Sequence, residues 1–434
     1  MTTTDSGNYR LSLYNCTHSN YTPLTIQLGR DYILTFNKSN LTIEGKLLLP
    51  TLITGHTIIH WFQQMFPVLI PMIRSELGLS DVQVGGLVTV KQAASGLLTL
   101  PSGFIADAFA RYRALILGLA LLCGGIAYLI ASVAPTYLVV LLFLVFLGLS
   151  SALWHPTAVS SLSLSFPEKR GTVLALHGVG ASIGDSVGPL CIGALLVIFA
   201  WQDIALWHII PAVIFGIIMW QVTQRSLPRD DKAKTTASYL DGIKDLIRTP
   251  IVFLVMLASS FAGMARLSII TFLPLYLAED IGYSAFWLGF HWALLYAMGM
   301  VSQPIMGIVS DRFSRKTVLL PAFLSMSILY LLLPMTLNPV LIAVIIGTMG
   351  IFFYGTSNIA QAAVLDVAAE QVQGTTHSVM SLFQQIVTLP SPIIAGLIVA
   401  TFGMTQVFYY ASFLVALSSL IWVFIRFPRK NRSD

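Results

Sequence analysis

Charged side chains are scarce in this sequence: Asp, Glu, Lys and Arg make up 10% of its 434 residues. An ordinary soluble domain carries roughly a quarter, so that class is excluded. Cysteine is nearly absent as well. Cys16, Cys123 and Cys191 lie far apart, two of them in apolar segments, and their spacing gives neither a disulfide framework nor a metal cluster. No cleavable secretory signal is evident, because the first apolar span begins near Leu47 after a polar stretch and reads as a first membrane helix. No Walker motif or nucleotide-binding domain is present.

What the chain has instead is apolar length. Hydrophobic residues make up 56% and the mean hydropathy is +0.80. A bilayer core needs roughly 20 apolar residues per helix. Six such stretches occupy 47–73, 82–106, 112–133, 137–164, 170–199 and 204–224, and six more occupy 250–277, 285–308, 315–335, 339–366, 372–400 and 404–426. The expected organisation is a tail over 1–46, a six-helix bundle over 47–224, a polar linker over 225–249, a second bundle over 250–426 and a short tail over 427–434. The N-terminal tail reads as poorly ordered or loosely docked, although the alternating run Tyr32–Phe36 suits a hairpin. The fold class is thus an all-α integral membrane protein.

The two bundles are copies. Gly-x-x-x-Asp-x-Phe-x-Arg occurs at Gly103, Asp107, Phe109 and Arg111, and again 204 residues later at Gly307, Asp311, Phe313 and Arg315. The same offset pairs Gly78 with Gly282, Ser80 with Ser284 and Gly85 with Gly289. An alignment slipped by one residue pairs Gly171 with Gly374, Pro189 with Pro392 and Gly193 with Gly396. Two pseudo-equivalent halves in a bilayer suit alternating access, with the substrate site where they meet.

Charge placement sets a direction. The loops after spans 2, 4, 6 and 8 and the C-terminal tail hold seventeen Lys or Arg residues, whereas the loops on the other side hold only Arg74. By the positive-inside rule both termini and the linker face the cytoplasm. The net charge of +5 is therefore a topology signal rather than a nucleic-acid surface. The Asn-x-Ser/Thr triplets at Asn15, Asn20, Asn37 and Asn40 then lie in the cytoplasm, where they are silent.

With two halves, a basic linker and the duplicated motif, residues 47–426 resemble the major facilitator superfamily. The second motif, Gly307 through Asp311, Arg312 and Arg315 to Lys316, matches that family's pattern fully, and the first has Ala108 where Arg is common. The resemblance implies a cytoplasmic gate that stabilises the outward-open state, with Gly allowing close helix approach and the carboxylate pairing with Arg. Gly55-His56 in span 1, Trp154-His155-Pro156 in span 4 and the Gly180, Gly184, Asp185, Gly188, Pro189 run in span 5 are similar to fosmidomycin-resistance-type exporters, and the last run also to drug/proton antiporters. His60 stands where those exporters often carry Asp, and Thr157 where they often carry Glu.

Ionisable groups at membrane depth cost roughly 2.5–3.5 kcal/mol at a helix centre, so each needs a reason. The candidates are His56, His60, Lys91, His155, His177, Asp185, Arg266, His291, Asp366 and His377, with Gln384 and Gln385 beside Pro390 and Pro392 as neutral hydrogen-bonding groups. His56 and His60, at i and i+4, share one helix face. No Cys or carboxylate evidently completes a metal set with them, so no metal or cofactor is expected. They are either neutral histidines bonded between helices or cavity groups, one of which titrates near neutral pH. Lys91 is expected either to pair with Asp185 or to receive an anion. Asp185 is either a permanent salt-bridge partner or a coupling carboxylate whose protonation releases Lys91. Arg266 is the cation candidate of the second half, or else an interhelical partner. Gly180, Gly184 and Gly188 suit close helix packing, Pro189 suits a kink, and Trp61, Phe62, Trp292 and Tyr296 suit cavity walls or packing.

The expectation is a proton-coupled secondary transporter in the plasma membrane that exports a small organic, possibly anionic, compound and works as a monomer. Proton symport or uniport for uptake is the alternative. A membrane enzyme would need a nucleophile elbow, zincin motif or phosphate loop, none of which is present. A receptor or scaffold has no use for duplicated gates.

Overall fold

The computed structural model describes residues 24–27, 33–36, 43–108, 110–133, 136–227, 250–353, 355–365 and 373–425, with the backbone alone described at 24–27, 33–36, 43–46, 100, 103–108, 110, 168, 365 and 373–379. Fifteen α-helices make up the twelve spans. The first half consists of α1 (Ile43–Leu77), α2 (Asp81–Ala108), α3 (Arg113–Ser132), α4 (Tyr137–Ser165), α5 (Arg170–Leu195) and a sixth span in two pieces, α6 (Trp201–Trp207) and α7 (Ile209–Ser226). The second half consists of α8 (Pro250–Leu275), α9 (Ala285–Arg312), α10 (Arg315–Leu332), the pair α11 (Pro339–Phe353) and α12 (Gly355–Leu365), the pair α13 (Gln373–Thr388) and α14 (Ser391–Phe402), and α15 (Thr405–Phe424).

Ten of the twelve spans are, by length and composition, apolar enough to cross a membrane. The two outside that set are α1 and α2, which carry His56, His60, Gln63, Gln64 and Lys91. Outside the bundles, Leu24–Gln27 pairs antiparallel with Ile33–Phe36, Leu24 opposite Phe36. The alternating run in the tail is therefore a hairpin strand, and the tail is not wholly without structure. The linker at 228–249 and the tail at 426–434 lie outside the described residues.

The matched glycines have matched jobs. Gly78 ends the first span at φ 60° and Gly282 ends the seventh at φ 78°, a left-handed backbone that glycine adopts without steric cost. Ser80 then caps α2: its backbone N–H donates to Gln83 Oε1 (2.9 Å), and the Gln83 N–H donates to Ser80 Oγ (3.3 Å). A π-helical turn over Tyr276–Asp280 follows Pro274, and the eleventh span breaks at Pro390.

The halves meet along two equivalent crossings at the end of the molecule away from the basic loops. A Cβ on Gly85 would lie 2.2 Å from the Pro392 carbonyl oxygen, and one on Gly289 would lie 2.4 Å from that of Pro189. One on Gly396 would lie 2.5 Å from the Asp81 oxygen, and one on Gly193 would lie 2.6 Å from that of Ala285. The pairs that reveal the duplication in the sequence are thus the seam itself, each copy contacting the other's partner. Small residues let backbones touch, which is how membrane helices gain packing energy without a hydrophobic drive. Arg74 reinforces this end by ion-pairing with Asp81 (2.8 Å) and, across the seam, with Glu279 (3.1 Å).

The basic end is different. Among the described residues nothing lies within 4 Å of a Cβ placed on Gly307, so no close helix approach at this motif is made between them in this conformation. Asp311 pairs with Arg315 one turn away, Arg315 also donates to Ser310 Oγ (2.7 Å), and Arg312 lies over the Phe313 ring. In the first copy Phe109 and the side chain of Asp107 lie outside the described residues, as do any contacts of Gly103, while Arg111 packs on Tyr112.

Candidate functional site

The site begins with how α5 seats on α1. Cβ atoms on Gly180 and Gly184 would fall 2.5 Å from the Ile53 oxygen and 2.3 Å from the Thr57 oxygen, and Gly188 faces Trp61. Bare backbone at those three positions brings α5 against α1, and Asp185 onto His60. On the other side of α1, Gly55 leaves room for the Trp154 ring, which a Cβ would meet at 2.2 Å. The Gly55-His56 and Trp154-His155 motifs are therefore two sides of one contact.

Five sequence candidates converge here. His60 Nδ1 donates to Asp185 Oδ1 (2.9 Å), and Gln64 Nε2 donates to the same oxygen (2.9 Å). His56 Nδ1 donates to the His177 carbonyl (2.8 Å), and the two rings stack with centroids 3.9 Å apart. His155 Nδ1 donates to the Ser151 carbonyl (2.9 Å), and its Nε2 stands 3.4 Å from His60 Nε2. His56 and His177 are buried, and the His60 and Asp185 side chains keep 22% and 14% of their surface exposed. The cluster is therefore enclosed but reachable.

The remaining candidates stay apart from it. Lys91 does not pair with Asp185, whose contacts are His60 and Gln64; its Nζ donates to the Gln63 carbonyl (3.4 Å) and lies near the Phe66 ring. Asp185 therefore acts on Lys91 through space rather than through an ion pair. His291 is buried, donates from Nδ1 to the Trp287 carbonyl and stacks on Tyr283, close to the start of α9. Arg266 lines a cavity inside the second half with Ser259, Tyr330, Thr356, Ser357 and Gln384. Gln385 places its amide oxygen over Gly96 of α2. Asp366 and the side chain of His377 lie outside the described residues. Phe62, Trp292 and Tyr296 are buried packing groups rather than open walls.

Gln64 is the candidate site residue that the sequence does not single out. It sits four residues after His60 on the same face of α1, a signal the i, i+4 rule makes visible. Its amide N–H binds Asp185, and its carbonyl oxygen accepts from Trp292 Nε1 of α9 at 2.9 Å. A hydrogen-bonded chain therefore runs from His60 through Asp185 and Gln64 into the second half. Trp292→Phe keeps most of the ring but removes the donor. It is expected to cost about 1–3 kcal/mol by leaving a buried oxygen unpaired, read as a lower melting temperature of the purified protein; unchanged melting would show that the link carries no load.

Comparison with known proteins gives the same architecture. The Major Facilitator Superfamily model matches residues 52–392. Similar chains include the Fosmidomycin resistance protein of Escherichia coli (strain K12), 24% identical over 66% of this chain and 70% of its own. The Probable sulfoacetate transporter SauU of Cupriavidus necator is 24% identical over 82% and 87%, and the Probable L-galactonate transporter of Escherichia coli (strain K12) is 23% identical over 83% and 85%. Among solved structures, a bacterial homolog of the human lysosomal transporter Spinster, inward-facing and unoccupied, superposes with a TM-score of 0.74 at 16% identity, covering 88% of this chain and 97% of that one. With twelve membrane helices in two pseudo-symmetric bundles and a family match over most of its length, this chain belongs to the Major Facilitator Superfamily of membrane transporters.

Proposed function

We propose that the protein exports a small organic anion across the plasma membrane by alternating access, driven by the proton gradient. The observation that carries the anion reading is Arg266 in a mostly apolar cavity of the second half that also holds Ser259, Tyr330, Thr356, Ser357 and Gln384, a cation where a carboxylate, sulfonate or phosphonate would be neutralised. Relatives named for sulfoacetate and L-galactonate handling support the same class, since both compounds are small organic anions. In this reading the basic loops lie in the cytoplasm, so the glycine seam seals the outer side and the conformation is inward-facing. Export is supported by the relative named for fosmidomycin resistance. One chain supplies both halves of the pathway, so a monomer suffices. The second reading is uptake of the same class of anion, by proton symport or uniport, through the same cavity.

The test is flux of fosmidomycin, sulfoacetate and galactonate in proteoliposomes with an imposed pH gradient. Uphill movement that reverses when the gradient is reversed, with protons and anion moving oppositely, supports export. Movement in the same direction supports uptake. Flux indifferent to the gradient removes proton coupling, and no flux of any anion discards the substrate class.

A further inference from the structure

The three histidines nearest the centre of the first half present an arrangement that hydrogen bonding alone does not explain. His56, His60 and His155 each face an acceptor with Nδ1: the His177 carbonyl, the Asp185 carboxylate and the Ser151 carbonyl. A carbonyl or carboxylate oxygen accepts, so each Nδ1 carries the proton and each Nε2 a lone pair. One ring nitrogen from each of the three histidines lies within 4.8 Å of the others. His60 Nε2 and His155 Nε2 are 3.4 Å apart, and His56 Nε2 is buried without a hydrogen-bond partner among the described residues. Imidazole nitrogens that present lone pairs at such short range repel one another unless a cation sits among them.

The geometry points to a binding site for a divalent transition-metal ion of the zinc class, held by Nε2 of His56, His60 and His155. Around a tetrahedral zinc with nitrogen ligands at about 2.0–2.1 Å, neighbouring nitrogens stand about 3.3–3.4 Å apart; the His60–His155 separation is already 3.4 Å. A shared proton explains the arrangement less well, because it bridges two nitrogens and leaves the third unanswered. All-imidazole ligation selects zinc, cobalt, nickel or copper over magnesium and calcium, which take oxygen. The outer groups also fit: Asp185 on His60 Nδ1 is the carboxylate–histidine–metal arrangement that fixes tautomer and ring orientation.

His60 is also where this chain departs from the exporters it resembles, an imidazole replacing a carboxylate and completing the three-nitrogen set. The sequence expectation of no metal rested on His56 and His60 lacking a third ligand. His155, 95 residues from His60, supplies it through the α1–α4 contact. Three protein ligands leave a fourth position for water or an anionic oxygen.

The test is titration of the purified, tag-free full chain, stripped with chelator, with cobalt(II) alone, followed by visible absorption and by competition with zinc. One equivalent producing the intense bands of tetrahedral cobalt, displaced by one equivalent of zinc, is expected. His60→Ala and His155→Ala should abolish the bands, Asp185→Asn should weaken binding about 10–100-fold, and His291→Ala, outside the cluster, should change nothing. A featureless wild-type spectrum, or equal binding in wild type and both alanine variants, overturns the site. If a variant elutes as aggregate, the wild-type spectrum and its stoichiometry still decide. The readout is independent of flux, so the metal site and the transport reading fail separately.

Discussion

Gly289→Val is expected to stop transport and to hold the protein with its glycine seam open. The space for a side chain at 289 is already filled by backbone: the Pro189 carbonyl oxygen would be 2.4 Å from the new Cβ and the Gly193 Cα 3.1 Å from it. Neither atom belongs to a flexible side chain that can swing aside, so α5 and α9 must separate. Overpacking of this kind costs typically about 1–3 kcal/mol, and it falls only on the state in which the seam is closed. A transporter's two states differ by a few kcal/mol, and about 1.4 kcal/mol shifts their ratio tenfold, so the closed-seam state becomes the minor one. Gly85→Val should behave alike, since the Pro392 oxygen lies 2.2 Å from the Cβ position there. Gly307→Val is the control, because among the described residues nothing stands within 4 Å of a Cβ there in this conformation. The measurement is a spin-label distance between Ser75 and Ser284, both exposed at the sealed end, after replacement of Cys16, Cys123 and Cys191. A longer distance in both seam variants and an unchanged one in Gly307→Val is expected; an unchanged distance in Gly289→Val would show that the seam is not the gate.

The same glycines show how much was legible beforehand. Gly78, Gly85, Pro189 and their partners 203 or 204 residues on betray a duplication because special backbone conformations and close approaches tolerate few residue types. Twelve spans were legible because the bilayer fixes their length. The breaks at 207–209 and at Pro390, and the π turn at Tyr276–Asp280, were harder. Of these only Pro390 has a clear local cause, and even there proline tells where a helix bends but not how far. In the site, each histidine was visible as a costly polar group, but their convergence was not. Contact between α1, α4 and α5 depends on helix rotation, which here is set by Gly55, Gly180 and Gly184 fitting against particular neighbours. Asp185 was matched to Lys91 on charge alone. Once Gly184 packs on α1, Asp185 reaches His60 and Gln64, and Lys91 on α2 turns to the Gln63 carbonyl instead. Gln64 escaped notice because a neutral amide raises no alarm in an apolar helix, although it links the carboxylate to Trp292.

Arg266→Ala is expected to weaken binding of a small organic anion by one to two orders of magnitude while leaving the fold intact. Arg266 projects into the second-half cavity from α8, with Gly263 one turn earlier and Ser259, Tyr330, Thr356 and Gln384 around it. Gln384 Nε2 donates to the Ser259 carbonyl (3.2 Å), which fixes that wall of the cavity. Hydrogen bonds to a charged group contribute about 1.5–3 kcal/mol each, and the guanidinium offers two in parallel to a carboxylate, sulfonate or phosphonate. Losing one such bond is tenfold or more in affinity. Arg266→Lys keeps the charge but not the fork, so it should fall between wild type and Arg266→Ala. Equilibrium binding of sulfoacetate or galactonate to the three proteins in detergent, with a neutral polyol as comparison, separates the two roles open to this residue. Graded loss for the anion with no change for the polyol marks Arg266 as the substrate's counter-charge. A lowered melting temperature with anion affinity unchanged would make it an interhelical partner instead, and would move the anion site away from the second half towards Lys91 and the histidine cluster.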